Sequence, residues 1–239
     1  MEARSVLWVV QQASMEMGLS KPVDAVANSD LTVQQLVALL NRAGMEMSLG
    51  FPWQQLTKEW NLSLVEGQSG YSVPGDWNYF LDQTQWDRTN NWPLLGPKSA
   101  QEWQALKSGF TPSGPRLRYR VVGGKFDVFP SEGIGGLNIV MEYVSDAWLA
   151  DSATANTFYS SIQADEDIVL FDPWVIVAFL KLKFWEAKGL DTTAYTKDFM
   201  GIWEARVSKN KGAPILSLAP MPSSHLLNMG NVPDTGYGV

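Results

Sequence analysis

Asp172-Pro173-Trp174-Val175-Ile176-Val177-Ala178-Phe179-Leu180-Lys181-Leu182-Lys183-Phe184-Trp185-Glu186-Ala187-Lys188-Gly189 carries the punctuation of a single helix, and its first turns are apolar on nearly every side. Asp172 before Pro173 forms an N-cap/N1 pair, because the N–H that proline lacks would be unsatisfied there anyway. Gly189 is the matching C-terminal stop. A helix with apolar residues all round belongs at the centre of a structure, covered by other elements. Its expected covers lie at both ends of the chain. Downstream, a helix from about Thr193 to Lys209 places Tyr195, Phe199, Ile202, Trp203 and Val207 on one face. Upstream, Val6, Val10, Ala13 and Met17 recur at helical spacing until Gly18-Leu19-Ser20-Lys21-Pro22 ends the run. Asp30 caps a further helix carrying Val33, Leu36, Val37, Leu40, Gly44 and Met47, which Gly50-Phe51-Pro52 terminates.

Between these helical ends the period changes from 3.6 to 2. Trp60, Leu62 and Leu64 alternate as in a half-buried strand, and Tyr71 and Val73 continue the pattern past a turn at Gly67–Gly70. Leu117, Tyr119 and Val121, then Gly123-Gly124, then Phe126 and Val128 predict a hairpin, since paired glycines supply the positive φ of a tight turn. Leu137, Ile139, Met141 and Tyr143 alternate again. Ser99 to Lys107 predicts a short helix, with Ser99 and Glu102 as a capping box. Residues 147–167 are polar and predict no element.

The fold class is therefore α+β. The expected divisions are helices in residues 1–57, an inserted antiparallel β domain in 58–146, and further helices in 147–211. An extended arm follows in 212–239. This arm is rich in Pro and Gly without periodicity, yet it repeats apolar residues: Ile215, Leu216, Leu218, Met221, Leu226, Leu227 and Met229. Such a segment suits ordering on a partner, or folding back on its own domain.

Composition narrows the chemistry. The chain has 239 residues, 45% hydrophobic and only 18% charged, so a substantial core is expected. The net charge is −7, spread over the whole length, and no basic stripe for a phosphate backbone is evident. With no Cys there is no disulfide framework, thiolate nucleophile or Cys-ligated zinc. The single His225 lies in the arm without a nucleophile motif around it. Gly133-Ile134-Gly135-Gly136 lacks the Lys-Ser/Thr of a phosphate loop and is expected to be a turn. No cofactor is expected, and no run is long and apolar enough for a membrane anchor. Asp82, Asp87, Glu102 and Glu142, near aromatic residues, leave glycoside hydrolysis or sugar binding as an alternative. The acidic triplet Asp165-Glu166-Asp167 is expected to cap a helix or to meet an Arg of another subunit.

The middle of the chain points to docking. Trp86-Asp87-Arg88-Thr89 leads into Trp92-Pro93-Leu94-Leu95-Gly96-Pro97 and then Trp103-Gln104-Ala105-Leu106-Lys107. Large aromatic anchors between rigid corners suit a protein interface, and Trp, present in 11 copies, is enriched at such surfaces. Trp86, Arg88, Trp92 and Trp103 are the candidate contacts. Arg116, Arg118 and Arg120 share one face of the predicted hairpin. They could take carboxylates of an adjacent subunit, touch nucleic acid, or simply be solvated.

A series of segments carries a resemblance: Asn41-Arg42-Ala43-Gly44, Phe51-Pro52-Trp53-Gln54-Gln55-Leu56, Asp87-Arg88-Thr89, and Pro93-Leu94-Leu95-Gly96-Pro97. It continues with Glu102-Trp103-Gln104-Ala105-Leu106-Lys107, Glu142-Tyr143-Val144-Ser145-Asp146-Ala147-Trp148 and Phe184-Trp185-Glu186-Ala187-Lys188-Gly189-Leu190-Asp191. Over residues 1–215 this resembles the head-to-tail adaptor proteins, also called tail accessory or tail-tubular proteins, of podovirus-type tailed phages. The resemblance implies a virion protein forming a homo-oligomeric ring, typically a dodecamer, beneath the portal protein. Tail nozzle and tail fibre proteins would dock on it, and DNA would pass through its channel without sequence-specific binding. Its helices would surround that channel as a bundle, and its C-terminal arm would reach the portal. Some members have been associated with peptidoglycan hydrolysis, but no motif here assigns catalytic residues.

Overall fold

The computed structural model describes residues 4–109 and 116–210. In chain order the elements are β1 (Arg4–Ser5), α1 (Val6–Glu16), α2 (Leu31–Gly50), β2 (Thr57–Ser63), β3 (Gly70–Ser72), β4 (Trp77–Phe80), β5 (Trp86–Asp87) and β6 (Trp92–Pro93). There follow α3 (Ala100–Lys107), β7 (Arg118–Val122), β8 (Lys125–Phe129), β9 (Asn138–Ser145), β10 (Leu149–Ala150), β11 (Phe158–Tyr159), β12 (Ile168–Val169), α4 (Pro173–Ala187) and α5 (Thr193–Asn210). Helices and antiparallel sheets together make the fold α+β.

The helix starts follow from their caps. Asp30 accepts from Thr32 N, Asp172 accepts from Trp174 N, and Ser99 and Glu102 form the reciprocal capping box of α3. α4 packs against α1, α2 and α5. Its Val175, Ile176, Val177 and Leu180 are buried, whereas Trp174 keeps 48% of its surface in solvent. α5 has no fully buried residue and lies on α4 as a cover, with Phe199 stacked on Phe179 at 4.5 Å and Tyr195 on Trp185 at 5.4 Å.

Two apolar clusters form, and β9 joins them. One gathers residues of α1, α2 and α4 around Trp53, Trp148 and Phe171. The other gathers Leu62, Tyr119, Phe126, Ile139 and Met141 between the strands. β9 gives Ile139 and Met141 to the second cluster and Val144 to the first. It is paired along its length with β2 and also borders β4 and β5. The predicted hairpin is β7–β8, turning at Gly123 and Gly124, both with positive φ. β3 pairs with β8 and not with β2, so the first alternating stretch splits between two sheets.

The polar stretch 147–167 departs from expectation. β10 and β11 lie within it and join β12 and β1 in a small antiparallel sheet, and Trp148 is fully buried with its indole N–H donating to Ser160 O at 2.9 Å. These strands are two residues long, too short for alternation to register, and β1 is supplied by the N-terminus far away in sequence.

Candidate docking surfaces

The β5–β6 turn is held by a buried carboxylate. Asp87 accepts from Thr89 N at 2.9 Å, Asn90 N at 3.2 Å and Asn90 Nδ2 at 2.7 Å, closing an Asx-type turn. Arg88 and Trp92 are exposed on that turn, Trp92 at 39%. Trp86 is half-buried on β5, opposite Val140 of β9. Together with Arg88, Glu59, Thr84 and Glu142, it lines a shallow groove of about 240 Å³. The structure therefore brings Trp86 and Arg88 together in one groove, whereas Trp92, paired in register with Asp87, faces the other side of the two strands.

Trp103 and the arginines are placed differently. Trp103 is 1% exposed, edge-on to Phe129 at 6.2 Å, so within the protomer it supports a surface and does not present one. Arg120 lies with its guanidinium 5.1 Å from the Trp103 ring and 3.6 Å from Asp127, half-buried under α3. Arg118 has a buried Nη1 with no hydrogen-bond partner, and Arg116 is exposed just before β7. The three do not form one exposed row, because α3 covers part of the face that alternation assigned to them. The sequence could signal the strand face but not the helix that closes over it.

Most of the carboxylates singled out above are engaged internally. Asp165 accepts from Ala25 N and Val26 N, the shorter contacts being 3.0 and 2.7 Å, and Asp167 accepts from Gln163 N and Ala164 N. The backbone carbonyls of the same two residues accept from Leu7 N and Val6 N at the start of α1. The two aspartate carboxylates thus hold loop amides while their backbone carbonyls meet the start of α1, and neither side chain contacts an arginine among the described residues. Glu66 places its carboxylate in the Gly133-Ile134-Gly135 loop, accepting three backbone N–H groups at 2.7, 3.1 and 2.9 Å. The bonds from Gly133 and Gly135 hold its pKa below the usual carboxylate range. This glycine loop is an anion nest, and the chain fills it with its own glutamate.

Asp76 forms the densest polar cluster, accepting from Lys58 Nζ at 2.6 Å, Ser145 Oγ at 2.7 Å and Tyr143 OH at 2.9 Å. Burial alone would raise its pKa, but these bonds outweigh burial and lower it. Asp146 is pushed up, first by burial and then by the charge of Asp76. General acid catalysis on a sugar needs a raised carboxyl facing a cleft. Asp146 is not among the residues lining the groove beside Trp86, and Glu102, one of the acids singled out by sequence, is lowered by its helix-capping bonds. No group of His, Cys, Asp or Glu among the described residues could hold a metal ion.

Apolar surface is left uncovered on the helices. Met45 and Leu49 lie one turn apart near the end of α2 and Leu31 at its first residue, each more than half exposed, and Trp174 and Met200 stand out on α4 and α5. A shallow groove on α5 is lined by Ala194, Gly201 and Ile202. A third groove, about 690 Å³, lies where the end of α2 meets β2, β9 and the end of α5. Phe51, Pro52, Thr57, Leu81 and Glu142 line it, with Gln54 and Asn210 at its rim. The arm residues Ile215, Leu216, Leu218, Met221, Leu226, Leu227 and Met229 lie outside the described residues, as does His225.

Uncovered apolar helix surface, together with carboxylates spent on internal bonds, fits a structural subunit. The chain matches the model of the SU10 adaptor protein family over residues 5–200, from the start of α1 into α5, and belongs to that family. It is a structural adaptor protein of phage, with its place in the virion tail. Among curated proteins none matches the chain. No described helix is long and apolar enough to cross a membrane.

Proposed function

We propose that the protein is the head-to-tail adaptor subunit that assembles into a ring, typically a dodecamer, beneath the portal protein. In this assignment the helices of residues 1–57 and 147–211 form the bundle around the DNA channel. The strands of 58–146 form the body that tail nozzle and tail fibre proteins grip, with Trp86, Arg88 and Trp92 at the contact. The arm, residues 212–239, meets the portal through Ile215, Leu216, Leu218, Met221, Leu226, Leu227 and Met229. The protein carries no catalytic role, and the acidic surface lets DNA pass without sequence-specific binding.

The observation that carries this assignment, given the family, is the apolar surface left exposed on the helices: Met45 and Leu49 one turn apart on α2, with Trp174 on α4 and Met200 on α5. Large apolar side chains held in solvent on neighbouring helices are surface that association can bury. The arm makes its portal contact only on assembly, so the isolated subunit is a monomer or a weak oligomer and the ring forms on the portal. Deletion of residues 212–239 tests the arm. The truncated chain should retain its circular dichroism and lose portal binding; truncated protein that still decorates portals overturns the assignment. Turnover of purified peptidoglycan by the intact protein would overturn the purely structural role.

A further inference from the structure

The 690 Å³ groove sits where the chain leaves α5. Asn210, the last residue of that helix, is fixed through both polar atoms of its side chain. Its Oδ1 accepts from Gln54 N at 2.9 Å, and its Nδ2 donates to Gln55 Oε1 at 3.0 Å. The chain therefore leaves α5 at the groove rim. The groove lining includes Pro52, Leu81 and Glu142, with Leu81 N donating to Glu142 O at 3.0 Å. Glu142 stands directly across the β2–β9 ladder from Glu59, and both side chains are exposed. Like charges directly opposite on a sheet repel, and among the described residues no cation pairs with either. The next residue is Lys211, followed by Gly212-Ala213-Pro214-Ile215-Leu216. An extended chain advances about 3.3–3.6 Å per residue, so the groove is within reach of the residues that follow Asn210.

We propose that in the free subunit Lys211–Leu216 occupies this groove. The Lys211 ammonium neutralises the Glu142–Glu59 pair, and Ile215 and Leu216 cover Leu81 and Pro52. The inference rests on the assignment of the arm as the portal-binding element. It adds that the proximal arm has a resting seat on its own subunit, from which the portal displaces it. The seat shields apolar side chains before assembly and makes portal binding an exchange of one contact for another.

The absence of cysteine makes the test direct. In the full-length chain, Gln54→Cys with Ile215→Cys should form an intramolecular disulfide under mild oxidation about tenfold faster than Ser208→Cys with Ile215→Cys. Ser208 is exposed and much nearer to Ile215 along the chain than Gln54 is, but it does not line the groove. Adding Glu142→Gln to the first pair should slow closure several-fold, toward the rate of the control. Equal rates for the two pairs would overturn the seat, as would disulfides formed between chains. Portal co-sedimentation of the same reduced variants reads the arm assignment separately. An arm that binds portal but closes no faster in the Gln54→Cys pair than in the control refutes the seat alone. An arm with the seat but no portal binding refutes the assignment alone.

Discussion

Asp172 caps α4 and binds α5 with the same carboxylate: one oxygen accepts from Trp174 N at 3.0 Å, and the other lies 3.1 Å from Arg206 Nε. Asp172 is 4% exposed while Arg206 keeps contact with water. The residue that starts the central helix also fixes its surface cover. Because α5 buries no residue completely, its position depends on this pair, on the aromatic stacks with α4, and on Trp203 edge-on to Trp53 at 5.3 Å.

Asp172→Ala should therefore cost more than a cap. Loss of the cap alone is worth about 1–2 kcal/mol, and the variant also frees Arg206. Asp172→Asn keeps a capping oxygen and should fall between the parent chain and Asp172→Ala. Urea denaturation followed by circular dichroism should rank the three chains in that order; equal midpoints for Asp172→Asn and the parent chain would show that the charged contact with Arg206 contributes nothing.

Gly44 decides how closely α2 approaches Trp148. A Cβ added there would run into the indole ring, which is itself fully buried. Helix propensity favours alanine over glycine by about 1 kcal/mol. Overpacking in a filled core costs about 1–3 kcal/mol, and a rigid buried indole has little room to yield. Gly44→Ala should thus lower the thermal midpoint, whereas Gly201→Ala, on the exposed side of α5 with open space around it, should raise it. A stabilised Gly44→Ala would contradict the packing.

Acid should loosen the Asp76 cluster. The folded pKa of Asp76 lies below its ordinary value, so its contribution is complete above about pH 4 and is lost as pH falls through the folded pKa. Asp146 acts with the opposite sign. Its pKa is raised, so its ionised form opposes folding and acidification relieves that cost. Asp76→Asn removes the first effect and weakens the second. Its stability should be lower at neutral pH and should vary less as pH falls below about 4 than that of the parent chain, measured by urea midpoints at each pH. An unchanged pH slope would show that Asp76 is not the controlling group.

Glu66 in its glycine nest gives a local readout. Glu66→Gln keeps an acceptor oxygen but loses the charge that three N–H groups converge on. Amide hydrogen exchange at Gly133, Ile134 and Gly135 should accelerate while exchange in α4 stays unchanged. Uniform acceleration across the chain would mean that the loop is no separate unit.

Helices were legible in the sequence where caps and period agreed. Asp30, the Ser99–Glu102 box and Asp172-Pro173 each mark an observed start, and the glycine pair marks the β7–β8 turn. The sheet of β1, β10, β11 and β12 was not legible, because two-residue strands carry no period and their partners lie far apart in the chain. The candidate contacts divide for the same reason. Arg88 and Trp92 sit on a local turn that Asp87 closes, and both reach the surface. Trp103 and Arg120 bury each other across the α3–β7 contact, which no local pattern announces. The abundance of tryptophan serves both ends: Trp53, Trp103 and Trp148 are core, while Trp92 and Trp174 face solvent.

Sedimentation velocity of the purified protein, alone and mixed with the portal of the same virus, tests the adaptor assignment most directly. The account predicts a small species alone and a ring-sized complex that co-sediments with the portal. A subunit that stays small and indifferent to the portal would contradict it.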